Sequence, residues 1–118
     1  MITFIRRALF VSLLAISVNT FAASACPRAL PTDNAGFCGS FKSVAACNCA
    51  ANGQGPAVCQ NMKKMYDVMI GMFGSLKAAC NFQHNSPPQE CIDDWNCYMT
   101  GGKDTQGRLC AATGKACE

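Results

Sequence analysis

The stretch AVCQNMKKMYDVMIGMFGSLKAACNF, residues 57–82, carries the longest periodic pattern in the chain. Its apolar side chains recur at alternating spacings of three and four, at Cys59, Met62, Tyr66, Met69, Phe73, Leu76 and Cys80. This spacing is typical of one face of an α-helix. The pattern therefore predicts one long helix over residues 57–82, in which Gly71 and Gly74 either bend the helix or let a neighbouring helix approach closely.

Shorter helices are predicted on either side of this segment. The first covers residues 40–51, where Ser40 provides an N-cap, and the other covers residues 86–100, where Ser86 provides an N-cap. Residues 26–37 contain two prolines and a turn-forming run, which predicts an irregular lead-in.

The C-terminal segment and the absence of a strand pattern complete the prediction of the fold class. Residues 104–117 are predicted to form either a fourth short helix or an irregular tail, and no strand-like alternation or internal repeat is visible. We expect an all-α fold, a small disulfide-rich bundle of three to four short helices. It would form a single domain over residues 26–118.

Residues 1–25 have the pattern of a secretory signal peptide. Arg6 and Arg7 precede an apolar run, and Ala23-Ser24-Ala25 supplies small residues at a cleavage site. The apolar run is shorter than the roughly 20 residues of a membrane-spanning helix. We therefore expect a chain that begins at Cys26, is secreted to the periplasm or the extracellular space, and has no stable membrane insertion.

Charge excludes one class of partner. Loss of the two signal arginines lowers the Lys and Arg count from 10 to 8, against 7 Asp and Glu, so the net charge falls from +3 to +1. A chain this close to neutral lacks the basic surface that nucleic acids or anionic membranes attract. No nucleic-acid partner is expected.

Ten cysteines lie in the 118 − 25 = 93 residues that follow the predicted cleavage site. An even number of cysteines in a short secreted chain is typical of a disulfide framework. All ten are expected to be paired: Cys26, Cys38, Cys47, Cys49, Cys59, Cys80, Cys91, Cys97, Cys110 and Cys117.

Helix geometry restricts which cysteines can pair. Cys47 and Cys49 point about 200° apart on one helix, so each must bond to a different neighbour rather than to the other as a redox pair. If the first two helices form a hairpin, one of these cysteines comes near Cys59. If the next two helices form a hairpin, Cys80 comes near Cys91.

The methionines allow three interpretations. The favoured one is a buried core stripe, because the residues follow helical spacing on the central segment. The second is an adaptable apolar groove for a lipid or a peptide, since methionine repacks easily. The third is a copper(I) site, because thioethers prefer that ion. Candidate groove residues are Met62, Met65, Met69, Met72, Phe73, Trp95 and Met99.

Polar side chains give no catalytic motif. His84 is the only histidine, and it is expected to be solvated, with a role as a base beside Asp93 or Asp94 as the alternative. Adjacent aspartates on a helix diverge by about 100° and do not form a facing pair. Trp95 and Tyr98 are expected in the core, with an interface role as the alternative. No metal site, catalytic residue or cofactor is predicted.

Two functions remain open from the sequence. The favoured one is non-enzymatic binding outside the cytoplasm, by an effector, an inhibitor or an interaction protein. The alternative is a carrier that holds a hydrophobic small molecule, a lipid or copper(I) in a cavity lined by methionine and aromatic side chains. A carrier requires a cavity of about 300 Å³ or more, whereas an interaction protein requires a filled core and an exposed apolar patch.

Overall fold

The computed structural model describes residues 26–118, so the predicted signal peptide, residues 1–25, lies outside the described residues. The described part contains α1 (Phe37–Ala51), α2 (Pro56–Cys59), α3 (Met62–Phe73), α4 (Leu76–Phe82) and α5 (Pro88–Thr100), followed by a short 3₁₀ turn (Cys110–Ala112). Within this range an isolated bridge between Lys103 and Leu109 is the only strand-like pairing. The predicted fold class, a small disulfide-rich helical bundle, is confirmed.

The prediction of one long helix over residues 57–82 is wrong, because two breaks divide this segment into α2, α3 and α4. At the first break the Asn61 side chain caps α3 by accepting a hydrogen bond, 3.0 Å long, from the backbone N–H of Lys64. At the second break Gly74 has a left-handed conformation with φ of 83°, and Ser75 caps α4. Both breaks preserve the apolar periodicity while changing the direction of the chain.

The N-terminus of α1 also differs from the prediction. The helix begins at Phe37 instead of Ser40, so Ser40 lies inside it. The Ser40 hydroxyl accepts a hydrogen bond, 2.8 Å long, from the backbone N–H of Leu30. This contact fastens the irregular lead-in, which the sequence did predict, against α1.

The predicted Ser86 cap of α5 is wrong. The helix begins at Pro88, and Pro87 before it is extended, with φ of −55° and ψ of 140°. A residue that precedes proline is disfavoured in the helical region. Because both Ser86 and Pro87 precede a proline, the helix cannot begin before Pro88.

Five disulfides cross-link the described helices and leave no cysteine of residues 26–118 free. Hairpin packing predicts the Cys80–Cys91 bridge and a bridge from Cys47 or Cys49 to Cys59, which the structure assigns to Cys49, and Cys47 and Cys49 bond to different neighbours as expected. Disulfides form and persist in oxidising compartments, so five of them indicate a protein that functions outside the cytoplasm. The pairs are Cys26–Cys47, Cys38–Cys117, Cys49–Cys59, Cys80–Cys91 and Cys97–Cys110.

An aromatic cluster forms the centre of the core. Phe41 of α1 meets the Trp95 ring of α5 edge-on, with ring centroids 5.0 Å apart, and lies 5.7 Å from the Tyr98 ring. Tyr66 of α3 contacts the other side of Trp95 at 5.6 Å. The cluster joins α1, α3 and α5, and it buries Trp95 and Tyr98 as the core interpretation expects.

The C-terminal segment is fixed to the lead-in by a buried carboxylate. Asp104 accepts hydrogen bonds from the Thr32 hydroxyl at 2.7 Å, from the Arg108 guanidinium at 2.8 Å and from the backbone N–H groups of Gln106 and Arg108. Burial alone would raise the pKa of Asp104, but these hydrogen bonds together outweigh it and lower the pKa to about 2. The stabilisation is complete above about pH 4 and is lost as the pH falls toward 2.

None of the helices described in residues 26–118 combines the length and the apolarity needed to cross a bilayer.

The break between α3 and α4 predicts opposite effects for two glycine substitutions. Gly71→Ala lies within α3, where an added Cβ meets nothing within 4 Å, so it should raise the free energy of unfolding by up to about 1 kcal/mol. Gly74→Ala has equal space, but its left-handed backbone should make it destabilising by about 1–2 kcal/mol. Guanidinium denaturation with the disulfides intact measures both changes. If Gly74→Ala stabilises the protein as Gly71→Ala does, the segment is one continuous helix.

Candidate ligand-binding cleft

The described helices surround a cleft of about 540 Å³ that is open to solvent. It is here called the central cleft. One wall comes from α1 and the opposite wall from α3, while Trp95 of α5 lies between them. The wall side chains are mainly apolar; they are Phe41, Val44 and Ala45 from α1 and Met65, Met69 and Met72 from α3.

The side chains of α3 become more exposed from its N-terminus to its C-terminus, where the cleft opens to solvent. Met62 and Met65 are 7% and 8% exposed, Met69 is half-buried, and Met72 is 64% exposed. Phe73, the last residue of the helix, also packs on α4, with its ring centroid 4.9 Å from that of Phe82. The N-terminal part of α3 thus belongs to the core, and its C-terminal part lines the cleft.

The structure brings together most of the groove residues predicted from the sequence. Met65, Met69, Met72, Phe73 and Trp95 all line the central cleft. Met62 and Met99 do not, and their assignment to the groove is corrected: they lie at a separate recess that Lys42 and Tyr98 also line. Met62 lies on nearly the same face of α3 as Met69, seven residues later, but at the other end of the helix, where it borders the recess together with Met99 of α5.

This division bears on the copper interpretation. The structure distributes the five methionines of residues 26–118 between two surfaces instead of gathering them at one point. Within the same residues there is no group of three or more His, Cys, Asp or Glu side chains that could hold a metal ion. The copper(I) alternative would have to rest on Met65, Met69 and Met72, the methionines that line the central cleft.

One end of the cleft is polar. Arg28 of the lead-in forms an ion pair with Glu90 of α5, and both residues line the cleft together with His84 and Asp94. Arg28 and Glu90 neutralise each other. The other carboxyl group at this end, that of Asp94, forms no ion pair with any described residue.

The two adjacent aspartates of α5 have different surroundings, as their divergence on the helix predicts. Asp93 points away from the cleft and accepts hydrogen bonds from the Thr105 hydroxyl at 2.7 Å and from the Thr105 backbone N–H at 3.2 Å. Asp94 is only 6% exposed and lines the cleft, and no described residue donates a hydrogen bond to it. The proposed base pairing with His84 is therefore not formed, although both groups line the same cleft.

The electrostatics of Asp94 follow from this position. Burial, followed by the negative charges of Glu90 and Asp93, raises the pKa of Asp94 to about 7, and the positive charges of Arg108 and Arg28 only partly oppose this rise. A carboxyl group in this environment changes its charge near neutral pH. The group is thus costly to the fold when it is ionised, and a bound cation would relieve that cost.

Sequence signals for the rest of the cleft are weaker. Phe41, Val44 and Ala45 recur at helical spacing within α1, and this spacing marks an apolar face, but it does not show which helix the face meets. Phe82 is brought to the cleft by the turn at Gly74. The sequence indicates Asp94 only as an alternative partner for His84, since the burial of Asp94 depends on neighbours distant in the sequence.

Comparison of the chain with protein-family models, curated proteins and solved structures finds no match. What the central cleft binds must therefore be inferred from its lining. That lining combines mainly apolar walls with neutral polar side chains, the Arg28–Glu90 ion pair and one buried carboxyl group, Asp94.

The two aspartates predict opposite effects on stability. Because the folded-state pKa of Asp94 is about 7, above its ordinary value of 3.8, the fold loses stability as the pH rises from about 4 to 7. Asp94→Asn should therefore raise the free energy of unfolding at pH 8 by about 2–4 kcal/mol, with little change at pH 4. Thermal and guanidinium denaturation at the two pH values measure the difference.

Asp93→Asn is the matched control, one residue away on the same helix. It disturbs the charged hydrogen bonds from Thr105 and should lower the free energy of unfolding at pH 8 by about 1–3 kcal/mol. If Asp94→Asn lowers the free energy of unfolding at pH 8, the Asp94 carboxylate has a stabilising partner and is not an unpaired buried charge.

Proposed function

We propose that this protein binds a small hydrophobic molecule in the central cleft, as a non-enzymatic carrier or sequestering protein outside the cytoplasm. The observation that carries the proposal is the cleft itself, about 540 Å³ between walls of apolar side chains. This volume lies within the range of about 300–1,000 Å³ that is typical of small-molecule sites.

The same observation favours the carrier over the interaction protein that the sequence analysis preferred. An interaction protein needs a filled core beneath an exposed patch, whereas here Met65, Met69 and Trp95 border open volume. Filling this volume with an apolar ligand would remove apolar surface from water, at about 25 cal/mol for each Å² buried. The carrier is therefore the function that the geometry supports best.

The entrance to the cleft supports a hydrophobic ligand in particular. Val68 and Met72 of α3 and Phe82 of α4 form an apolar rim, in which Met72 is 64% and Phe82 is 68% exposed. Large apolar side chains this exposed are often found at binding sites. Methionine is suited to such a rim because its unbranched side chain adapts to different ligand shapes.

The proposed location is the periplasm or the extracellular space. The five disulfides support an oxidising compartment, and the signal-like sequence of residues 1–25 supports export. A carrier there would keep a poorly soluble molecule dispersed in water.

Decanol, a neutral apolar probe, tests the proposal. Trp95 is the only tryptophan of the chain and lines the cleft, so its fluorescence reports directly on occupancy. A saturable change in Trp95 emission on addition of decanol is expected. Unchanged emission, together with no heat of binding in calorimetry, would contradict the proposal.

A pair of charge substitutions on α3 locates the site. Met69→Glu places a carboxylate in the cleft wall and should weaken decanol binding at least about tenfold, because the ligand would bury that charge. Ile70→Glu introduces the same side chain one position along, at a half-buried residue outside the cleft lining, and should leave the affinity within about twofold. Equal loss in both variants would indicate a general disturbance of α3 and would count against the cleft.

A further inference from the structure

We propose that the ligand of the central cleft is an amphipathic cation, whose alkyl part contacts the apolar walls and whose ammonium group binds the Asp94 carboxylate. The inference rests on the proposed function and adds the chemical class of the ligand to it. Its basis is the position of one buried carboxyl group in a cleft whose walls are mainly apolar and whose other polar lining includes the neutral side chains of Asn48, Asn52 and Gln54.

The geometry of Asp94 carries the argument. Its side chain is 94% buried by the protein (6% exposed) and lies in the cleft lining beside Trp95, yet no described residue donates a hydrogen bond to it. No fully enclosed side-chain oxygen or nitrogen of residues 26–118 lacks a hydrogen-bond partner. The remaining exposure of the Asp94 carboxyl group is thus the access that the cleft gives it.

The neighbouring charges select a cation over an anion. Glu90 is already paired with Arg28, and the third acidic side chain nearby, Asp93, is bonded to Thr105. Arg108 lies on the C-terminal segment and is paired with Asp104. With these groups neutralised or bonded, Asp94 is the unpaired charge that a ligand meets, and an anionic head group would be repelled by it.

An ammonium group also fits better than a bare metal ion. The described residues contain no group of three side chains able to hold a metal, so one carboxylate would have to supply the site. An alkyl ammonium needs only one charged hydrogen bond, while its chain gains from the apolar walls. The cleft offers both features side by side.

Three probes of equal chain length test the inference: decylamine, decanol and decanoate, titrated at pH 8 into the protein with its native disulfides. Trp95 fluorescence measures each affinity. Decylamine should bind at least about tenfold more tightly than decanol, the gain typical of one charged hydrogen bond, and decanoate should bind most weakly.

Asp94→Asn should remove this preference and reduce decylamine binding at least about tenfold, while decanol binding stays within about twofold. Asp67→Asn is the matched control, because it makes the same change in net charge at an exposed residue of α3 outside the cleft lining. It should retain the preference for the amine. Near-ultraviolet circular dichroism confirms that each variant is folded.

The pH dependence gives a second readout in the unmodified protein. Because the pKa of Asp94 is about 7 and an alkyl ammonium stays protonated to about pH 10, decylamine affinity should fall as the pH drops below 7 and level off at the affinity of the Asp94→Asn variant. Besides Glu90, Asp93, Arg28 and Arg108, His84 is the other ionisable group at this end of the cleft. His84→Gln should keep the pH dependence, and Asp94→Asn should abolish it.

The outcomes separate the inference from the proposed function. Preferential amine binding that depends on Asp94 supports both. Equal binding of all three probes, or tightest binding of decanoate or decanol, overturns the cationic ligand and leaves the hydrophobic carrier standing. Failure of every probe to bind overturns both.

Discussion

The turn between α3 and α4 is the constraint on which the rest of the structure depends. Gly74 adopts a left-handed conformation that ends α3, and Ser75 starts the next helix at once. A continuous helix would carry Phe73 and Phe82 apart, whereas the turn brings their rings to 4.9 Å. The end of α3 therefore packs on α4 and not on α1, and the space left between α1 and α3 is the central cleft.

Disulfides keep this open arrangement in place. Cys49 bonds to Cys59, which joins α1 to α2 immediately before α3, and Cys80 bonds to Cys91, which joins α4 to α5 immediately after it. The apolar segment is thus anchored at both ends by covalent bonds. Such cross-links restrict the unfolded chain and add about 2–4 kcal/mol each. This stabilisation compensates for the packing energy that is absent at the open cleft and for the cost of burying the Asp94 carboxyl group.

The sequence predicted the helical class and, for hairpin packing of the helices, a Cys80–Cys91 bridge and a bridge from either Cys47 or Cys49 to Cys59, since apolar spacing and helix geometry are local properties. It could not predict the break at Gly74, because glycine fits both a helix interior and a left-handed turn. The methionines illustrate the same limit. Their spacing marks one apolar face, but it does not show that Met62 lies in the core away from the cleft while Met72 borders the cleft. The burial of Asp94 depends on tertiary packing, because the cleft that it lines is formed by α1 and α3 together with α5.

The central claim is that α3 belongs to the core at its start and to a ligand cleft at its end. Nuclear magnetic resonance of ¹³C-methyl-labelled methionine during a decanol titration tests this claim most directly. Saturable shifts are expected at the methyl signals of Met65, Met69 and Met72, with Met62 and Met99 unchanged because they lie at the other recess. Shifts confined to Met62 and Met99, or no shift at any methionine, would contradict the account.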